Sequence, residues 1–200
     1  MGLPEKTRAE RRARVRNSMR HDILHAARRV AERDGARKLS LRSVAAEAGF
    51  APAALYVYFR NKDELMLALA ADDLARIAQG MRDAASQKDG KQKLGAAATA
   101  ALDLLINTET LAAASLALAP EAAGTESERV LNGRMISVLT ALSAAAGAPA
   151  HSRESQADVM LAASALAGIA MLARGGRLQA LGFSAAEVLS RLNRILQPAT

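Results

Sequence analysis

The sequence predicts an all-α protein of about nine helices, with a small N-terminal helical domain followed by a larger helical one. Three observations predict it. Half of the 200 residues are hydrophobic yet only 2% are aromatic, so the core must be aliphatic. Ala and Leu abound, and both lose little on entering a helix. Apolar residues recur at three- and four-residue steps, with neither strand-like alternation nor a fixed-period repeat.

Composition excludes several classes. There is no cysteine, hence no disulfide and no cysteine-held metal. The opening Met-Gly-Leu-Pro-Glu-Lys leads into arginines, unlike a secretory signal. The longest apolar candidate, Val159 to Ala173, is shorter than the roughly 18–20 residues of a membrane helix and is interrupted by Ser164, so no membrane partner is expected. The net charge of +7 is concentrated at the start: residues 1–20 hold seven basic residues against Glu5 and Glu10, +5 of the total. A basic tail beside a helical module points to a polyanion, or to a solvated tail with no partner.

Taken in order, residues 1–17 lack apolar periodicity and are expected to form a basic, flexible arm, at most partly helical. A first helix is expected from Ser18, as N-cap, to Gly35, with Ile23, Ala27, Val30 and Ala31 facing inward. His21 and His25 lie one turn apart, a spacing that suits a metal, but no further ligands accompany them and no metal site is assigned. Ser40 caps a short helix with Leu41, Val44, Ala45 and Ala48 inward, and Gly49 allows a tight turn. Pro52 suits the first position of another short helix, of about seven residues, because its missing N–H has no helical partner there. Leu55 and Phe59 anchor that helix. The stretch Ser40–Lys62 therefore reads as a helix-turn-helix, closing a domain over 18–62.

Asn61 and Glu64 form an N-x-x-E capping signal for a long helix over 61–84, whose seam is Leu67, Ala70, Leu74, Ile77 and Met81. It links the first domain to a second over 63–200. Further helices are expected over 91–107, 109–119, 125–146, 152–174 and 185–197, punctuated by Pro120, the Gly147–Pro149 turn and Gly175-Gly176.

The residues Ile23-Leu24, Ala26-Ala27, Gly35, Ser40, Val44-Ala45, Ala48-Gly49, Leu55-Tyr56-x-Tyr58-Phe59 and Lys62-Asp63-Glu64-Leu65 together resemble the DNA-binding domain of the tetracycline-repressor (TetR) family of bacterial transcriptional regulators. The resemblance covers about a quarter of the chain, and its Leu-Tyr-x-Tyr-Phe-x-x-Lys-x-x-Leu ending is the specific part. It implies three N-terminal helices docking in the major groove and a C-terminal domain that dimerises and binds an effector.

The physics of the stretch suits DNA as well. Ser40 and Ser43 at one helix start and Lys62 at another can meet phosphates. Tyr56 and Tyr58 match family tyrosines that touch the DNA backbone; a partly buried packing role is the lesser alternative for Tyr58. The reading helix begins Ala51-Pro52-Ala53-Ala54, where many relatives carry polar side chains. None of these four can hydrogen-bond a base edge through its side chain, but they can contact thymine methyls. Arg42 corresponds to a position that reads guanine in some relatives; a phosphate clamp is the competing role. Arg11, Arg12, Arg14 and Arg16 of the arm are expected to follow the backbone or enter the minor groove.

In the second domain the resemblance implies a homodimer built on helices 152–174 and 185–197. Ala163, Ala167 and Ala170 offer a small-residue surface, and Leu189, Leu192 and Leu196 an apolar stripe. A small-molecule effector is expected among Ile77, Met81, Leu105, Ile106, Met135, Leu139 and Met160; the shortage of aromatic residues favours an aliphatic or flexible ligand. No catalytic set is recognisable: there is no Gly-rich phosphate loop, H-E-x-x-H or G-x-S-x-G, and no cofactor is expected. The expectation is a cytoplasmic, ligand-responsive homodimeric repressor of operator DNA. The alternatives are an activator of the same fold or an architectural nucleic-acid-binding protein, which would have little need of the long, low-charge second half.

Overall fold

The computed structural model describes residues 5–108, 110, 126–147 and 152–196. Among the described residues there is no strand. The expected helix over 109–119, the Pro120 break, the Pro149 end of its turn and Gln197 lie outside them, apart from Thr110.

The first helix, α1 (Glu5–Asp34), corrects two expectations. Residues 5–17 are helical and continuous with the rest, and Ser18 lies inside the helix rather than capping it. The reason is local. Glu, Lys, Arg and Ala are strong helix formers without any apolar stripe, and Glu10 stands four residues ahead of Arg14, the favourable order for a pair of this kind. Every side chain from Thr7 to Ser18 is exposed. The helix ends as expected at Gly35, whose φ of 86° lies in the left-handed half of backbone space.

A 3-10 turn (Ala36–Lys38) leads to α2 (Leu41–Ala48), α3 (Pro52–Leu55) and α4 (Lys62–Ser86). The inner faces of α1, α2 and α3 close on Leu65, Met66, Ala68 and Leu69 of α4 to make a first core. Ile23, Ala27, Val30, Val44, Leu55 and Phe59 are all buried there, as their spacing implies. This core therefore runs into α4, past residue 62.

The same helix supplies Ile77 and Met81 to a second, larger core. Between the two, Leu67, Ala70 and Ala71 pack with Leu131. The second core is completed by α5 (Gln92–Ile106), α6 (Glu126–Ala146), α7 (Arg153–Arg174), the short α8 (Arg177–Ala180) and α9 (Ala185–Leu196). Helix α4 packs against α5 and α6, while α7 and α9 cover α5.

Helix α7 corrects a third expectation. Its 22 residues, with a mean hydropathy of 1.6 over the richest window, are long and apolar enough to cross a membrane by length and composition. Counting an unbroken run overlooks this because scattered Ser and Gln residues barely lower the average. Only 28% of that window is buried, through Val159, Ala162, Leu166, Ile169 and Ala170 on one side.

Candidate DNA-binding surface

Helix α2 is held by a reciprocal cap. The Ser43 amide donates to Ser40 Oγ at 3.1 Å and the Ser40 amide donates to Ser43 Oγ at 3.1 Å. Both hydroxyls expected at phosphates thus first serve the helix start. At the other end Gly49 takes φ 73°, ψ 26°, and the Phe50 amide returns to the Ala45 carbonyl at 2.9 Å. This turn sets α3 across α2.

Regular α-helix in the reader is shorter than expected and covers Pro52–Leu55. Beyond it, Val57 and Tyr58 close i→i+3 turns onto Ala54 and Leu55, and Phe59 bonds back to the Leu55 carbonyl at 2.9 Å. Buried Leu55 and Phe59 pin the unit. Its outer face is bare: Ala51, Pro52 and Ala53 are exposed and Ala54 is half-buried. Arg42 is exposed on α2 and makes no ion pair among the described residues. Tyr56 is 60% exposed.

Tyr58 and Lys62 have structural work as well. Tyr58 is half-buried against the first core and its hydroxyl donates to Met19 Sδ at 3.2 Å, which ties the reader to α1. The Lys62 ammonium donates to the Arg37 carbonyl at 2.8 Å, bracing the loop before α2. Asn61 Oδ1 accepts from the Glu64 amide at 2.8 Å, and the Glu64 carboxylate reaches back to the Arg60 amide at 2.7 Å, so the N-x-x-E cap forms as its spacing implies.

Charge surrounds this unit. Arg8, Arg11, Arg12 and Arg16 of α1 share a groove with Val57 and Tyr58; Arg14 is not among its walls. Arg20 lies 4.6 Å from the centre of the Phe59 ring. Burial pushes its guanidinium below the ordinary arginine value, against the pull of Glu64 and Glu126. Glu47 on α2 accepts from Arg29 at 2.7 Å and Arg33 at 2.8 Å on α1. Arg29 first, and Arg33 after it, hold its carboxyl below the usual range. His21 and His25 meet edge to face, Nε2 to Nε2 at 2.9 Å, and no group of three metal-capable side chains gathers among the described residues.

Sequence reasoning misses one network entirely. Asp73, buried in α4, accepts from Arg28 of α1 at 2.5 Å and from the Thr110 hydroxyl; Arg28 also reaches Asp72 at 2.9 Å. Burial works against the Arg28 charge, but the two aspartates outweigh it and raise its pKa. Arg174 of α7 donates to the Thr108 carbonyl. Polar contacts therefore tie α1 to α4 and Thr110, and α7 to Thr108 just past the end of α5. Nothing in the local sequence distinguishes Asp73 from a solvated helix aspartate.

The expected effector residues divide between core and surface, with Ile77, Met81, Leu105, Ile106 and Leu139 in or against the second core. Ile77 and Met81 are wholly buried in the second core, Leu105 and Ile106 are half-buried, and Met135 is exposed. Leu139 and Met160 line a cleft of about 490 Å³ between α6 and α7, with Ile136 and Val159. The expected dimer residues divide as well. Ala170 and Leu189 are spent on the chain's own core, Ala163 and Leu192 pack partly against it, and Ala167 is exposed. The Leu196 side chain is outside the description. Spacing reveals an apolar stripe but not the layer it faces. The outer face of α7 is instead Ala157, Met160, Leu161, Ser164, Ala167 and Met171.

Residues 23–69 match the family model described as bacterial regulatory proteins, tetR family. A curated relative, the HTH-type nicotine-responsive transcriptional repressor HdnoR of Paenarthrobacter nicotinovorans, is 41% identical over 85 residues. That alignment spans 42% of this chain and 42% of the relative's length, less than half of either. Among solved structures, a TetR transcriptional regulator from Rhodococcus sp. RHA1 aligns with TM-score 0.69 at 21% identity, over 90% of this chain and 96% of that one. A transcriptional regulator FadR from Bacillus subtilis in complex with stearoyl-CoA aligns with TM-score 0.62 at 17% identity, over 88% and 96%. Residues 23–69 thus carry a helix-turn-helix segment that matches the tetR family of bacterial regulatory proteins, within an all-helical fold shared with these solved structures.

Proposed function

We propose that the protein is a transcriptional repressor acting in the bacterial cytoplasm, which binds operator DNA as a homodimer and is released by a small-molecule effector. One observation carries the DNA reading: a capped helix-turn-helix presents Arg42, exposed and without an ion pair among the described residues, and an exposed Tyr56 beside a cluster of arginines. Arg42 supplies direct readout, since the four residues that open the reader have no polar side chain. A bidentate contact to guanine discriminates by about 1–3 kcal/mol. Binding of Arg42→Ala should be compared across a set of operator variants. Loss concentrated at one base pair supports readout, and equal weakening at every sequence makes Arg42 a phosphate clamp.

The exposed apolar face of α7 supports the homodimer. Two copies meeting there about a two-fold axis would bury that face and set the two readers about one DNA turn, roughly 34 Å, apart. Leu161→Glu should yield monomer in sedimentation and lose operator affinity; a wild-type chain that stays monomeric at micromolar concentration rules the dimer out. HdnoR is named as nicotine-responsive and the Bacillus subtilis FadR structure holds stearoyl-CoA, which supports effector control here without specifying the ligand. The aliphatic lining of the α6–α7 cleft favours an apolar, flexible molecule. Such a ligand acts by favouring an arrangement of α4 in which the readers no longer match the groove spacing.

A further inference from the structure

We propose that the N-terminal half of α1 is a rigid rail that lays Arg8, Arg11, Arg12 and Arg16 along the phosphate backbone of the duplex flanking the operator core, with Arg14 turned away. The proposal rests on the DNA-binding reading above and assigns a surface, a geometry and a partner to residues that composition marks only as basic.

The helix is continuous from Glu5, and its exposed half is anchored at its base, where Tyr58 bonds Met19 and Arg20 sits over Phe59. At about 100° per residue, Arg8, Arg11, Arg12, Val15 and Arg16 fall on one side of α1. That side shares a groove of about 440 Å³ with Val57 and Tyr58, immediately beside exposed Tyr56. Arg14 lies about 160° around the helix from Arg12 and about 60° beyond Arg11, and is not among the walls of the groove. An extended arm would make all these arginines equivalent; the helix sorts them.

None of the four pairs with an acid among the described residues. Arg8, Arg12, Arg16 and Arg20 also stand one turn apart, and like charges at that spacing repel in a free helix. A polyanion turns the same row favourable, and guanidinium is the group suited to bidentate phosphate contact. The groove entered must be wide. A helix with its side chains measures about 10–12 Å across, against a minor groove of about 6 Å, so the rail follows the backbone and does not insert. From Glu5 to Met19 it rises about 22 Å, the length of roughly six base pairs.

The test uses the full chain and a duplex that it selects from a random-sequence library. The duplex is then prepared in two forms, trimmed to its footprint core or carrying about six further base pairs on each side. Anisotropy titrations over a salt series should show R8Q/R12Q/R16Q binding the flanked duplex at least tenfold more weakly. Its salt slope should be lower by about 2.7, or about 0.9 for each phosphate left without its arginine. Arg14→Gln should stay within twofold of wild type. Trimming the flanks should weaken the wild type and leave the triple variant unchanged. Ala13→Pro keeps every charge but breaks the helix between Arg12 and Arg16, and should weaken binding as the triple variant does, with an unchanged thermal melt as the folding control. Equal losses for Arg14→Gln and Arg12→Gln, or full affinity in Ala13→Pro, overturn the rail while leaving the helix-turn-helix reading intact. Failure of the wild type to select any duplex overturns both.

Discussion

Replacing Arg28 by Ala tests whether the polar network between α1 and α4 holds the two helices together. Asp73 keeps only 3% of its surface exposed, and the Arg28 side chain 14%. Removing Arg28 leaves a carboxylate in a largely dry site. Breaking a buried pair by deleting one partner costs about 3–5 kcal/mol. Two neighbours moderate the loss here: the Thr110 hydroxyl remains, and Arg76, 3.8 Å away and 54% exposed, can approach. The expected cost is therefore near the lower end, about 3 kcal/mol. For a chain of this length that lowers the melting temperature by about 6–12 °C. Urea unfolding followed by helical circular dichroism measures it, and Asp73→Asn combined with Arg28→Ala completes the cycle. A coupling of at least about 1 kcal/mol is expected between residues in direct contact. A loss below about 1 kcal/mol for Arg28→Ala, or strict additivity in the double variant, would refute a buried latch and return Asp73 to the class of solvated aspartates.

Three further outcomes follow from the helix-turn-helix. Gly49→Ala should cost about 1–2 kcal/mol from the left-handed backbone alone, because no atom lies within 4 Å of the added methyl; an unchanged urea midpoint would contradict the αL turn. Ser40→Ala should destabilise by about 1 kcal/mol through removal of the cap, and Ser40→Asp should recover most of it in the same unfolding experiment. Because the folded-state pKa of Glu47 is depressed by Arg29 and Arg33, its contribution is present above the usual carboxylate range and is lost as pH falls through and below that range. The stability gap between wild type and Glu47→Gln should accordingly be small at neutral pH, shrink in acid and shrink in high salt, and a gap that grows in acid would reverse the assignment.

The parts of the fold that the sequence makes legible are those decided within a turn or two of chain. Ser40, Gly49, Pro52, Asn61 with Glu64 and Gly35 each act on neighbouring backbone groups, and each acts in the structure as its chemistry implies. The N-terminal half of α1 is invisible to a periodicity criterion, because a helix with no buried side has no apolar period. Its stability comes from propensity and from the packed half that it continues. The candidate site divides in the same way. The bare face of α3 and the exposure of Arg42 follow from residue type and local position. The Lys62 bond to the Arg37 carbonyl and the convergence of Arg28, Asp73 and Thr110 join residues from 25 to 82 positions apart in the chain, and depend on how the helices cross. The layer that each expected effector or dimer residue faces is decided in the same way. Ile77, Met81, Ala170 and Leu189 are apolar at helical spacing, and the nearest core claims them first.

Helix α4 carries a consequence that concerns insertions. One uninterrupted helix is gripped near its start by the first core, through Leu65, Met66 and Leu69, and further along by the second, through Ile77 and Met81. The interval between these grips sets both the distance and the rotational phase of the DNA-binding head. Adding a single residue there would turn the head by about 100° and advance it about 1.5 Å. In the proposed homodimer that error would enter twice, once for each reader. Loops absorb length changes cheaply, but this stretch of α4 acts as a shaft keyed at both ends, and in such a dimer its length would be part of the specificity.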